Sequence, residues 1–229
     1  MGAVIVFDFD NCIALNTQTG EGSEEIKDRA WFRVFPEPDY DSYDLGCIIE
    51  KTKLKIAGGR GDRNDIVAAI LEYYGFSEDR ILEEIIRRCE QFDEVVQEGI
   101  LELGVSLEVR GALEALSKRA TLYINTATPR APMVKTLEAL GLRGFFKGVY
   151  GRPGTKVSNL QRIATVEDVP FDQILFVGDM PGDYMAGKAV GCRFIGVRTK
   201  RNNAWYVEQP FPVIGSVAEL EPLLWGRGR

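Results

Sequence analysis

Five short stretches of the chain are almost continuously apolar: AVIVF (3–7), TLYINT (121–126), KGVYG (147–151), ILFVGD (174–179) and RFIGVR (193–198). A strand with one wet face alternates apolar and polar residues, so runs without alternation predict strands buried on both faces. Between them lie amphipathic segments with plausible ends. Pro132 opens one and Gly141 closes it; another runs from about Gly182 to Val190 and stops at Gly191. A repeated strand-helix-strand order predicts an α/β protein, with a Rossmann-like doubly wound parallel sheet and helices on both faces.

One interval breaks this rhythm. From Asn16 to about Gly104 the pattern contains no strand and instead predicts helices over 24–34, 41–55, 63–74 and 78–98. Ser23, Ser42 and Ser77 stand at N-cap positions, and Gly75 at the end of the third helix. Trp31, Phe32 and Phe35 read as core of this lobe. The interval is too long for a single crossover. It predicts an inserted all-helical domain of residues 16–104, with the sheet domain built from 1–15 and 105–229. No internal repeat or low-complexity segment is visible.

Composition narrows the function classes. The chain has 229 residues, 45% of them apolar and 27% charged, with a net charge of -6. That balance argues against nucleic acid as a partner, because phosphate backbones select basic surfaces. No apolar run approaches the ~18 residues of a membrane span, and no basic segment leads into a cleavable apolar stretch. The four cysteines (Cys12, Cys47, Cys89, Cys192) form no CxxC pair, so a reducing cytoplasm is the expected location. Histidine is absent altogether, which removes Ser-His triads and His metal ligands. Acid-base or metal chemistry must then come from carboxylates, Lys, Tyr or Cys.

The strand ends supply such groups. In open parallel sheets ligands bind beyond the carboxyl ends of the strands. The first run ends in Asp8 and Asp10, two apart and so on the same side of an extended chain. A buried carboxylate is costly unless a charge compensates it, and a metal ion is a natural candidate; a solvated turn is the plainer alternative. The second run ends in Thr126, Ala127 and Thr128; Lys156 follows the third; Asp179 and Asp183 follow the fourth in GDMPGD. Singly, each has a bland reading: a surface lysine, a threonine bonded locally before Pro129, a first-turn aspartate favoured by a helix dipole. Together they are what magnesium-assisted phosphoryl transfer needs.

In that arrangement the sequence resembles the haloacid dehalogenase superfamily over its whole length. DFDNC at 8–12 is similar to that family's first motif, INTATP to its second, Lys156 to its third, and Asp179 with Asp183 to its fourth. The resemblance implies that Asp8 is the nucleophile of an aspartyl-phosphate mechanism and that Asp10 is the general acid and base. It implies Mg²⁺ held by Asp8, the Asp10 main-chain carbonyl and Asp179, with Asp183 in support. Thr126, the Ala127 N–H and Lys156 would hold the phosphate, and Asn11 stands where many members carry Gly and could reach it too. The helical insert looks like a C1-type cap. The implied activity is a phosphatase acting on a small phosphorylated metabolite. A phosphomutase of the β-phosphoglucomutase kind would use the same residues, and a non-catalytic binding protein could share the fold. Cys12 reads as a small buried residue. The oligomeric state is not legible. In the insert, AGGRGDRNDIV (57–67) places Arg60 and Arg63 before a helix, either to grip a second anion on the substrate or as solvated loop arginines.

Overall fold

The computed structural model describes residues 3–56, 61–202, 205 and 207–226. The chain forms two compact units, Met1–Ser23 with Ile100–Arg229, and Glu24–Gly99. The division falls at 23/24 and 99/100, not at 15/16 and 104/105 as the helical pattern alone suggested. Residues 16–22 go with the sheet because Leu15–Asn16 (β2) and Glu21–Gly22 (β3) pair as a small antiparallel hairpin, too short to leave a periodic signal.

In the first unit, β1 (Ala3–Phe7), β4 (Ala120–Pro129), β5 (Gly148–Arg152), β6 (Ile174–Gly178), β7 (Arg193–Val197) and β8 (Val213–Ile214) form one sheet in the order β5-β4-β1-β6-β7-β8. Every pairing is parallel. β8 has two residues, below what alternation can reveal. The connections contain α5 (Leu107–Ser117), α6 (Arg130–Ala139), α7 (Lys156–Glu167) and α8 (Pro181–Val190), and α9 (Leu220–Trp225) follows.

Both faces of β1 are buried, which accounts for its unbroken apolar run. Val4 and Val6 belong to a core with Leu160 and Ile163 of α7 and Ala186 of α8. Ile5 and Phe7 alternate to the opposite face, where the Phe7 ring meets Phe146 edge-on at 6.3 Å. Burying a side chain of this size contributes about 1.5–3 kcal/mol. Gly191 ends α8 at φ +85° and Gly141 follows α6 at φ +66°, a backbone region that glycine enters without penalty.

The second unit is helical: α1 (Ser23–Val34), α2 (Ser42–Ile56), α3 (Arg63–Tyr73) and α4 (Glu78–Leu103), the first and last continuing across its boundaries. Its core includes Trp31, Phe35, Leu45 and Ile70, with the Trp31 and Phe92 rings 4.2 Å apart. Phe32, expected beside Trp31, is instead exposed. The caps also differ from expectation. Asp41, not Ser42, accepts the N–H groups of Tyr43 and Asp44 at the start of α2, while the Ser42 hydroxyl bonds Glu37. Asp62 and Asp65 form a reciprocal capping box on α3. Arg63 opens that helix and its guanidinium pairs with Asp93 of α4. Arg60 lies outside the described residues.

Candidate active site

The carboxyl ends of β1, β4 and β6 and the start of α7 bring together the residues singled out in the sequence. Asp8 follows β1 directly, and its N–H donates to the Val177 carbonyl of β6 at 2.8 Å, so the sheet still sets its position. Its carboxylate is buried and lies 3.1 Å from Lys156 Nζ. The same ammonium pairs with Asp183 Oδ1. Lys156 is the first residue of α7, which Thr155 caps through Ser158; the lysine is therefore presented from a fixed helix start, not from a loose loop.

Asp10 is held by two hydroxyl groups. Its Oδ1 accepts the Ser23 hydroxyl at 2.8 Å and its Oδ2 the Thr128 hydroxyl at 3.3 Å. Ser23, expected as a helix cap, ties the acid in place and also accepts the Asn11 N–H at 3.2 Å. Thr128 does not bond only locally, as its place before Pro129 suggested. Its hydroxyl reaches Asp10, while its N–H donates to Thr126 Oγ1 at 3.1 Å. Asn11 has φ +50°, in the left-handed region that Asn tolerates better than most residues. The chain can therefore turn at this point without a glycine. Ala127 is exposed at the same strand end, beside buried Thr126.

The loop after β6 depends on a glycine. A Cβ at Gly178 would lie 2.6 Å from both Cβ and Cγ of Asp183. Only a residue without a side chain lets Asp183 fold back, where its Oδ2 accepts the Met180 N–H at 3.0 Å. Asn202, buried, spans the neighbouring turn: its Nδ2 donates to the carbonyls of Asp179 (2.6 Å) and Val197 (2.8 Å), and its Oδ1 accepts the Thr199 N–H at 2.9 Å.

Carboxylate oxygens of Asp8, Asp179 and Asp183 lie within 4.8 Å of one another, and all three residues are buried. Burial pushes the Asp8 carboxyl up to about 8, against the pull of Lys156 and with the help of Asp183 and Asp10. Burial alone would lower the Lys156 ammonium, but the charges of Asp8 and Asp183 outweigh it and hold it well above its ordinary value. One lysine thus faces several converging acids. Three hard oxygen donors at this spacing fit a divalent cation of the magnesium type. Burial, then the same three acids, raises the Cys12 thiol; a thiol held protonated in this way is a poor nucleophile.

Ser23, Asn125, Asn159 and Asn202 were not read as site residues. Asn125 carried a signal, being polar within the apolar run of β4. Asn159 and Asn202 hold amide and backbone groups and leave no pattern in the sequence, and the cap position of Ser23 hides its bond to Asp10.

The geometry agrees with what the chain is similar to. The profile of the haloacid dehalogenase-like hydrolases matches residues 3–191. The phosphoglycolate phosphatase of Shigella boydii serotype 4 (strain Sb227) is 33% identical over 155 residues, which cover 63% of this chain and 59% of that protein. The chain thus spans 59% of the length of that curated relative. A crystal structure of a predicted phosphoglycolate phosphatase from Haemophilus somnus 129PT superposes with a TM-score of 0.68 at 20% identity, covering 97% of this chain and 98% of the other. The HAD-hydrolase YfnB of Bacillus subtilis, solved bound to magnesium, gives 0.66 at 20% identity over 97% and 98% of the two chains. These likenesses at low identity establish the fold. The profile match covers the strand ends bearing Asp8, Thr126, Lys156 and Asp179, and on that ground the chain belongs to the haloacid dehalogenase-like hydrolases.

Proposed function

We propose that the protein is a Mg²⁺-dependent phosphatase that hydrolyses a phosphoric monoester of a small metabolite through an aspartyl-phosphate. The observation that carries this reading is the convergence of Asp8, Asp179 and Asp183 on one point, with Lys156 against Asp8. Asp8, the Asp10 main-chain carbonyl and Asp179 would hold the ion, with Asp183 in support. When bound, the ion would supply charge that offsets repulsion between Asp8 and the anionic phosphate.

The residues of the chain then divide the work. The Asp8 carboxylate attacks phosphorus, and the P–O bond to the leaving group breaks. Asp10, oriented by Ser23 and Thr128, gives its proton to the leaving oxygen and then takes one from the water that hydrolyses the aspartyl-phosphate. Thr126, the Ala127 N–H and Lys156 hold phosphate oxygens as charge builds on them, and Asn11 turns the chain around that site. Arg60 and Arg63 of the helical unit are assigned to the non-reacting end of the substrate.

The similarity to phosphoglycolate phosphatases makes phosphoglycolate the first compound to test, within a wider set of phosphorylated metabolites. No helix among the described residues is long and apolar enough to cross a membrane. The test is phosphate release with and without Mg²⁺, by the parent protein and by Asp8→Asn. Turnover that requires Mg²⁺ and disappears in a folded Asp8→Asn protein is expected. Near-parental release by that variant would end the aspartyl-phosphate reading.

A further inference from the structure

Asn125 of β4 is fully buried, and Asn159 of α7 nearly so. Asn125 Nδ2 donates to the main-chain carbonyl of Lys156 at 2.9 Å, and Asn125 Oδ1 accepts from Asn159 Nδ2 at 2.9 Å. The orientation of both amides follows from chemistry. A backbone carbonyl can only accept, so Asn125 must turn its amino group toward Lys156; its oxygen then faces Asn159, which must donate. We infer that Asn125 and Asn159 are positioning residues that hold the first turn of α7 in register with β4, and thereby aim the Lys156 ammonium at Asp8. This rests on the role proposed above for Lys156.

Apolar side chains would fill the space between strand and helix, but apolar contact is non-directional and tolerates sliding. A hydrogen bond to the carbonyl of Lys156 itself does not. The lysine sits 3.1 Å from Asp8 and also pairs with Asp183, and a misplacement of about 1 Å can cost roughly a hundredfold in rate. Asn125 immediately precedes Thr126, so a single strand segment fixes the phosphate-binding threonine and, through the amide, the lysine. The turn before α7 leaves room for the pair: a Cβ at Gly154 would lie 2.2 Å from Asn159 Oδ1.

The test is a double-mutant cycle in the full chain, with thermal melts, kcat and KM for phosphate release from an aryl phosphate in Mg²⁺. Asn125→Ala should lower kcat at least about tenfold with little change in KM, since a misaimed lysine fails chiefly in the transition state. Asn159→Ala keeps the direct bond to Lys156 and should lose less. In a Lys156→Ala background, removal of Asn125 should change kcat by less than about twofold, because residues acting through one another are not additive. Equal losses in both backgrounds would show that Asn125 acts elsewhere and would overturn the inference, as would parental kcat in a folded Asn125→Ala protein. If Asn125→Ala does not fold, the same cycle is run with Asn159→Ala, and additive losses there overturn it equally. Parental kcat in Lys156→Ala would instead defeat the proposed role of the lysine.

Discussion

Replacing Gly178 by alanine probes how tightly the site is built. The new Cβ would stand 2.6 Å from Cβ and Cγ of Asp183 and 2.7 Å from its Oδ2. Carbon atoms in contact prefer about 3.5–4.0 Å, so Asp183 must retreat by roughly 1 Å. Overpacking of this kind costs about 1–3 kcal/mol. The retreat also breaks the bond from the Met180 N–H to Oδ2, and hydrogen bonds to charged groups are worth about 1.5–3 kcal/mol. The two effects share one displacement, so about 3–5 kcal/mol is a reasonable total. For a chain of this size that corresponds to a drop in Tm of roughly 6–20 °C. Gly182, four residues on and inside α8, is the control: a Cβ there meets nothing within 4 Å, and Ala in a helix should gain about 0.5–1 kcal/mol. Thermal melts of both variants, with and without Mg²⁺, make the comparison. Gly178→Ala should also lose most of the stabilisation that Mg²⁺ gives the parent. If both variants melt within about 2 °C of the parent, the close approach of Asp183 to the strand end is not what holds this loop.

Asp10→Asn should lose roughly 10²- to 10⁴-fold in kcat on alkyl phosphates and far less on aryl phosphates, whose leaving groups hardly need a proton; equal losses on both would deny Asp10 the acid role. The Asp8 carboxyl has a folded pKa of about 8 against an ordinary 3.8, so the folded state holds the proton more tightly. Its contribution to metal-free stability is therefore full below pH 3.8 and is lost as pH rises through 8. Mg²⁺ competes with that proton, so the rise in Tm it produces should grow between about pH 6 and pH 8; a constant rise would place the ion away from Asp8. Arg63→Ala should lower kcat/KM for an anionic metabolite about tenfold while sparing a small aryl phosphate. An unchanged ratio would leave Arg63 as the partner of Asp93 alone.

β1, β4, β6 and β7 were legible because burial on both faces removes alternation; β5, at the sheet edge, buries only Val149 and Gly151 and so does not share that reason. The residues at the strand ends followed from the rule that parallel sheets bind at their carboxyl edge. Asp8, Thr126, Lys156, Asp179 and Asp183 were reached in that way, and the structure gathers Asp8, Lys156, Asp179 and Asp183 directly. What escaped were side chains whose task is to hold another residue. Ser23 resembles a helix cap in sequence, and its bond to Asp10 spans the hairpin between them, which has too few residues per strand to predict. Asn202 lies outside any strand or helix, and its partners are backbone carbonyls and one backbone N–H, with no side-chain signature. Hydrogen bonds of this type link positions without leaving a period in the sequence.

The place of β1 in the sheet has a consequence for how the protein comes into being. It is made before the other strands of its sheet, yet it lies inside that sheet, with Ala3 opposite Ala120 and Val4 opposite Ile174. The helical unit, Glu24–Gly99, is synthesised entirely before either neighbour of β1 exists. During that time a stretch of five strand residues, four of them buried in the final fold, has no permanent partner. Contacts so distant in sequence slow folding, and exposed strand edges invite association between nascent chains. The two aspartates at the end of this run place charge beside it during that interval, and charged residues flanking an apolar strand oppose such association. In the mechanism proposed above, Asp8 and Asp10 would thus act twice in the life of the molecule, as gatekeepers of an unfinished chain and later as its reacting acids.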